Sequence, residues 1–160
     1  QRGLTELFRK SGGTLFKGDT VISGRFNGDR LESVRTANIS DMEFTAKSFV
    51  LAAGSFFSNG LRADRNGVYE PALGIDIDAL PRRKDWFDAD DFFGKQNYIG
   101  IGARLTPGAG LRASRGGRVV GNLLVAGSIL GGCNPLYEGC GGGVSICSAL
   151  EAADSILCNA

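Results

Sequence analysis

The hydrophobic positions of this chain change period as they run from one end to the other. Leu4, Leu7 and Phe8 recur at spacings of three and four between Arg2, Glu6, Arg9 and Lys10, which predicts an amphipathic helix over residues 1–10. Basic residues close it and Gly12-Gly13 stops it, as a helix C-terminus favours. Residues 14–17 read as a short extended segment. From residue 20 the pattern turns to alternation: residues 21–26 and 31–36 flank Asn27-Gly28-Asp29, a strong hairpin signal. Residues 43–47 read as a third strand, so 20–47 is expected to form an antiparallel meander. Residues 49–53 (FVLAA) then break the alternation. They are apolar throughout, as a strand buried on both faces should be, and end at Gly54. Residues 122–126 (NLLVA) repeat that form and end at Gly127. Last, Val144, Cys147, Leu150, Ala153 and Leu157 fall on one face of a C-terminal helix.

Between that second strand and the last helix lie Gly131-Gly132, the turn signal Asn134-Pro135, and a run from Gly139 to Gly143 with four glycines in five residues. Glycine loses the most backbone freedom on folding, so such a run is kept where a backbone turns sharply or lets another group approach. The helix start beyond it presents unbonded N–H groups and a partial positive charge. Two readings stand for strand, glycine turn and helix start together. One is a seat for a phosphate, a carboxylate or an electron-rich carbonyl; the other is a tight turn with close helix–strand packing and no ligand.

The chain has 160 residues, enough for one domain with a real core. It opens on Gln1 and its single methionine is Met42, so it is expected to be a piece of a longer chain. A net charge of +1 argues against any general affinity for nucleic acid or acidic membrane. No run of eighteen apolar residues is present. The cysteines stand at 133, 140, 147 and 158, without a Cys-x-x-Cys pair, and there is no histidine. That argues against a zinc or iron–sulfur site and against the usual nucleophile–base pairs. Cys147, on the apolar helix face, reads as a small buried hydrophobe. Cys140, at the helix start, reads either as a thiol of lowered pKa or as a small residue in a crowded turn.

FVLAAGS and LLVAGS, each closing a strand on glycine and serine, resemble the strand ends of flavoproteins of the glutathione reductase type. Longer strings narrow this: GSFFSNGL (54–61), RNGVYEPALGIDI (65–77), LRAS (111–114), NLLVAGSILGG (122–132) and EGCGGGVSICSAL (138–150). Nearly the whole chain resembles the C-terminal part of the B subunits of bacterial anaerobic glycerol-3-phosphate dehydrogenases. The resemblance implies a flavin-dependent oxidoreductase that converts glycerol 3-phosphate to dihydroxyacetone phosphate. Electrons would pass through partner subunits A and C to membrane quinone, with the chain peripheral at the cytoplasmic face of the inner membrane. It implies FMN as cofactor, with FAD possible because the fold is that of FAD binders.

Carried onto this sequence, the resemblance makes Gly54, Ser55, Gly127, Ser128, Gly141, Gly142 and Gly143 the cofactor-binding candidates. Gly54 and Ser55 close the strand under the flavin. Gly127 and Ser128 stand where related flavoproteins have Gly-Asp, so a hydroxyl replaces an ionised acceptor for the polyol. Gly141 to Gly143 open the helix aimed at the flavin's pyrimidine edge, where a helix N-terminus raises the reduction potential. The Gly-x-Gly-x-x-Gly that seats cofactor phosphates is absent; Gly100-Ile101-Gly102 lacks the third glycine and reads as a surface turn. Half the cofactor site is therefore missing, and weak or no flavin binding is expected of these 160 residues alone. Arg62, Arg65, Arg104, Arg112 and Arg115 are candidates for gripping a phosphate, Arg112 first, against the plainer reading of solvated arginines. The aromatics of residues 85–93 (DWFDADDFF) are expected to dock on the core or on a missing part of the chain. A catalytic base is not identifiable.

The expected class is α+β, one domain that is a fragment of an α/β FAD/NAD(P)-binding Rossmann-like fold. Its elements are N- and C-terminal helices, a meander, and two buried strands returning to a parallel sheet. Rival readings are a non-catalytic, flavoprotein-like interaction or relay subunit, and a flavin oxidoreductase for another hydroxy substrate.

Overall fold

The chain is α+β, and its computed structural model describes residues 2–39 and 41–158. Helix α1 spans Arg2–Lys10, and Gly12 ends it at φ 85°. Gln1, where the helix was expected to open, lies outside the described residues. None of the helix's described side chains is buried, so the apolar face of Leu4, Leu7 and Phe8 meets no core here.

Strands β1 (Val21–Asn27), β2 (Arg30–Thr36) and β3 (Glu43–Thr45) form the expected antiparallel meander, in the order β1-β2-β3. Asn27 pairs with Arg30, so the two turn residues are Gly28 and Asp29, and Gly28 takes φ 59°. Positive φ at the first central position alone is the II′ habit, which uses the glycine ahead of the aspartate. Glycine is also needed at position 24, where a Cβ would stand 2.6 Å from Leu73 Cδ2 and 2.8 Å from Leu31 Cδ1.

Strand β4 (Phe49–Leu51) runs parallel to β10 (Arg118–Val125), with Leu123, Leu124 and Val125 opposite Phe49, Val50 and Leu51. Strand β9 (Arg112–Arg115) pairs with β10 antiparallel on the other side, giving the order β4-β10-β9. Between β4 and β9 the chain makes two short antiparallel ribbons. One pairs β5 (Arg62–Ala63) with β6 (Val68–Tyr69), the other β7 (Ile77–Asp78) with β8 (Gly102–Ala103). Helix α2 (Pro135–Glu138) is one turn long, capped by Asn134 Oδ1, which accepts from Tyr137 N–H, and α3 (Gly141–Leu157) closes the fold.

The core lies around β10, where Leu123 and Val125 are wholly buried and Leu31, Leu61, Ile75, Ile101 and Ile129 pack about them. Asn122 fastens the meander to this strand. Its Oδ1 accepts from Leu31 N–H at 2.8 Å, and its Nδ2 donates to the carbonyls of Leu31 (2.8 Å) and Lys47 (3.2 Å). A buried amide with these partners leaves no orphaned group at the junction.

Three expectations change. Val50 is 46% exposed, so β4 is not buried on both faces: it is the edge of its sheet, with no strand beyond it among the described residues. Helix α3 turns a different face inward. Ser148 and Ala152 are its buried residues, while Leu150 and Leu157 stand 61% and 73% exposed and Cys147 is exposed too. Small side chains let the helix axis come close to the end of β10, and the larger apolar stripe is left outside. Gly100-Ile101-Gly102 is not a surface turn either. Ile101 and Gly102 are buried, and a Cβ on Gly102 would lie 2.3 Å from Gly131 N.

Candidate functional site

The parallel pairing of β4 with β10 sets two glycine-ended strands side by side. Ala126 N–H donates to Leu51 O at 3.0 Å, and both chains then turn away through glycines of positive φ, Gly54 at 83° and Gly127 at 77°. Non-glycine residues are strained in that region. Gly54 also meets a close approach: a Cβ there would stand 2.7 Å from Ser58 Cβ and 3.5 Å from Ser128 Oγ. The loop from Ser55 to Gly60 folds back over the end of β4, and a Cβ on Gly60 would overlap the carbonyl oxygens of Gly54 and Ala53. The residues after β4 and those after β10 therefore share one small volume.

Helix α3 is tied to the same place. Gly127 N–H donates to Ser148 Oγ at 2.9 Å, and that hydroxyl donates in turn to Val144 O one turn back. Ser148 is 5% exposed, so the bond fixes α3 against the end of β10 out of water. At the helix start, Cys140 is the N-cap and makes no side-chain capping bond. A Cβ added at Gly142 or Gly143 would meet nothing within 4 Å, so the first turn stands in open space. Gly141 is hemmed by α2 instead, a Cβ there lying 3.2 Å from Pro135 Cβ.

Ser55, Ser128 and Gly141 line one cavity of about 210 Å³, whose apolar walls include Leu130, Leu136 and Val144. Of the cofactor-binding candidates, Gly54, Ser55, Gly127, Ser128 and Gly141 thus converge on one region, while Gly142 and Gly143, next along the first turn of α3, do not line the cavity. Arg112 is not brought there. Its Nε donates to Gly121 O at 3.1 Å and its Nη1 to Ala109 O at 3.3 Å, well back along β10. Arg104 and Arg115 are likewise engaged with carbonyls, of Ile77 and Leu73, and Arg115 lies over the Phe26 ring at 4.5 Å. Phe92 and Phe93 do not dock on the core; they are 81% and 95% exposed, whereas Trp86 packs against it.

The cavity's chemistry fits one side of a flavin. Hydroxyls and uncapped helix N–H groups suit the polar pyrimidine edge, and the Leu130, Leu136 and Val144 walls suit a flat ring. Its volume is less than the ~300 Å³ lower bound common for small-molecule sites, so these residues make part of such a site. Cys140 is not a thiol of lowered pKa. Burial pushes it up, and the nearby Glu138 carboxylate and Cys133 thiol push the same way. Among the described residues no group of histidine, cysteine and carboxylate side chains could hold a metal.

Residues missed from the sequence are Ser148, which locks the geometry, and Leu136 and Cys133, which wall the cavity. The signal for Ser148 was present: Gly141, Ser145, Ser148 and Ala152 form a small-residue stripe at spacings of four, three and four.

The FAD binding domain family matches residues 1–144. Over 98% of its length the chain is 38% identical to the B subunit of the anaerobic glycerol-3-phosphate dehydrogenase of Vibrio cholerae serotype O1. It is 42% identical to the protein of that name from Yersinia enterocolitica and 39% to that from Aliivibrio fischeri. The chain spans 36% of the length of these curated relatives. No solved structure matches it.

Proposed function

We propose, for a chain that belongs to the FAD binding domain family, that it is the C-terminal portion of a flavin-dependent glycerol-3-phosphate dehydrogenase subunit. The observation that carries this is the parallel register of β4 with β10, which gathers Ser55, Ser128 and the N-terminus of α3 around one cavity. The family match favours FAD over the FMN expected from the resemblance. When bound, the flavin supplies a two-electron acceptor for the hydride of a secondary alcohol. The hydroxyls of Ser55 and Ser128 hold polar atoms of the ring or its side chain. The N–H groups of Gly142 and Gly143 favour negative charge at the nearer edge, and Leu130, Leu136 and Val144 keep water from that side.

The exposed edge of β4 and the outer stripe of α3 support a Rossmann-like assembly completed by the rest of the subunit. A parallel sheet is ordinarily covered on both faces, and here Val50, Leu150 and Leu157 stand uncovered. In this reading electrons leave through the partner subunits, with the complex held at the cytoplasmic face of the inner membrane by a partner. No described helix is long and apolar enough to cross a membrane. A second reading, a relay rather than a substrate oxidase, rests on one observation. Apart from Cys133, no ionisable side chain among the described residues lines the cavity, so it offers no base for the substrate hydroxyl.

The test is the full-length subunit with and without its partners, followed by flavin absorbance on addition of glycerol 3-phosphate. Bleaching by the subunit alone supports substrate oxidation within it. Bleaching only with partners supports the relay, and a subunit that never carries flavin overturns both.

A further inference from the structure

A second cavity, of about 580 Å³, lies at the far end of α3 from Gly141 and against the middle of β10, and Arg30, Lys47, Ser48, Arg112 and Ser155 line it. Ser155 is fourteen residues along α3 from Gly141, which is ~21 Å of helix. The cations converge here without counter-charge. The ion pairs among the described residues are Arg25–Glu32, Arg25–Glu43 and Arg82–Asp85, and none includes Arg30, Lys47 or Arg112.

Two of the three cations are held in place by backbone. Arg112 donates to Gly121 O and Ala109 O and is half-buried, and Arg30 Nη2 donates to Lys47 O at 3.5 Å. Carbonyl anchoring fixes a guanidinium while leaving its charge unneutralised and other N–H groups free, which is the preorganised state that favours a bidentate oxyanion. On a protein of net charge +1, three cations around one hollow, two of them bonded to backbone carbonyls, are a local concentration of charge and not a general one. The hollow lies beside the C-terminal turn of α3, whose carbonyls repel an anion. Any anion must therefore be held by the side-chain cations and hydroxyls, and its binding must weaken as salt rises.

We propose that this cavity binds the phosphate group of a phosphate ester or of inorganic phosphate, gripped by Arg30, Lys47 and Arg112 with Ser48 as a hydroxyl donor. The phosphate can arrive free or displayed by a lipid headgroup, and one experiment separates the two. Full-length subunit is mixed with inorganic phosphate at low ionic strength and broadening of the ³¹P resonance is followed. In parallel it is sedimented with vesicles of phosphatidylglycerol or of phosphatidylcholine. The comparison protein is the Arg30→Gln/Lys47→Gln double variant, with Lys47→Gln alone should the double variant not unfold cooperatively at the wild-type temperature.

Loss of two charged hydrogen-bond donors should weaken the interaction on the order of tenfold or more. Broadening that the variant loses supports a free phosphate ligand. Sedimentation with phosphatidylglycerol vesicles alone, lost in the variant, supports the headgroup as its source. Wild type and variant behaving alike in both arms overturns the site.

Discussion

The bond from Gly127 N–H to Ser148 Oγ joins the end of the central strand to the last helix, and Ser148→Ala removes the acceptor without adding bulk. Gly127 is half-buried and Ser148 nearly wholly so, so the freed N–H has little access to water. An unpaired buried donor costs about 1–3 kcal/mol. Against that, alanine is the better helix former by up to about 0.5 kcal/mol. The bond from Ser148 Oγ to Val144 O disappears at little cost, because that carbonyl belongs to the interior of α3. The expected net loss is about 1–2 kcal/mol. Ser145→Ala is the matched control. Its hydroxyl also bonds one turn back, to Gly141 O at 2.9 Å, but it is exposed and accepts nothing from β10. That change should be neutral or stabilising by a few tenths of a kcal/mol. Urea unfolding of the full-length subunit reads both, as a fall in midpoint at unchanged slope for Ser148→Ala. Equal midpoints for the two variants would refute the claim that this hydrogen bond locks the helix to the strand.

Three further outcomes are expected. Gly142→Ala meets open space and should stabilise the flavin-free protein by about 0.5–1 kcal/mol through helix propensity, yet weaken flavin binding by crowding the ring's edge, seen by fluorescence titration; unchanged flavin affinity counts against the helix tip as a cofactor contact. Gly102→Ala would place a Cβ 2.3 Å from Gly131 N and 2.5 Å from Ile129 O, both backbone, and should cost about 1–3 kcal/mol or more by urea unfolding. Asp76 is pushed up by burial but held below its ordinary value of 3.8 by the N–H groups of Gly117 and Gly116, the Ser114 hydroxyl and Arg104. Its folded pKa is thus the lower one, so its contribution is complete above the ordinary carboxylate range and lost as pH falls through the folded value; Asp76→Asn should flatten that acid limb of the stability–pH curve.

How much of this was legible depends on what each pattern reports. The meander was, because alternation and a glycine-bearing turn are local and the hairpin satisfies its own backbone. The pairing of FVLAAGS with LLVAGS was also legible, since two apolar runs closed by glycine need the same kind of environment. What failed was the orientation of α3. Spacing found an apolar stripe through Val144, Cys147, Leu150 and Leu157, and the usual rule places such a stripe inward. In this chain the inward positions of the small stripe are Ser148 and Ala152, with Gly141 half-buried and Ser145 left exposed. Close approach to β10 outweighs apolar area there, and the hydrogen bond at Gly127 needs a hydroxyl at short range. The same rule failed at Leu4, Leu7 and Phe8, and at Val50, for one shared reason. A hydrophobic pattern records that a surface is to be covered and says nothing of which segment covers it.

That distinction bears on the site. Gly54 and Gly127 are explained within these residues by positive φ, and Gly54 also by the approach of Ser58. Gly60 and Gly102 are explained by backbone contacts. Gly142 and Gly143 are not: nothing lies within 4 Å of either added Cβ, and a helix gains nothing internally from glycine in its first turn. Their cost in order makes sense if an outside group comes up to that turn. Ser55 and Ser128 bring hydroxyls to the adjoining cavity, and Cys140 leaves the helix end uncapped. Gly142 and Gly143 are glycines the fold itself does not need, and in the proposed reading the first turn of α3 is where a ring bound mostly by the rest of the subunit would meet this chain.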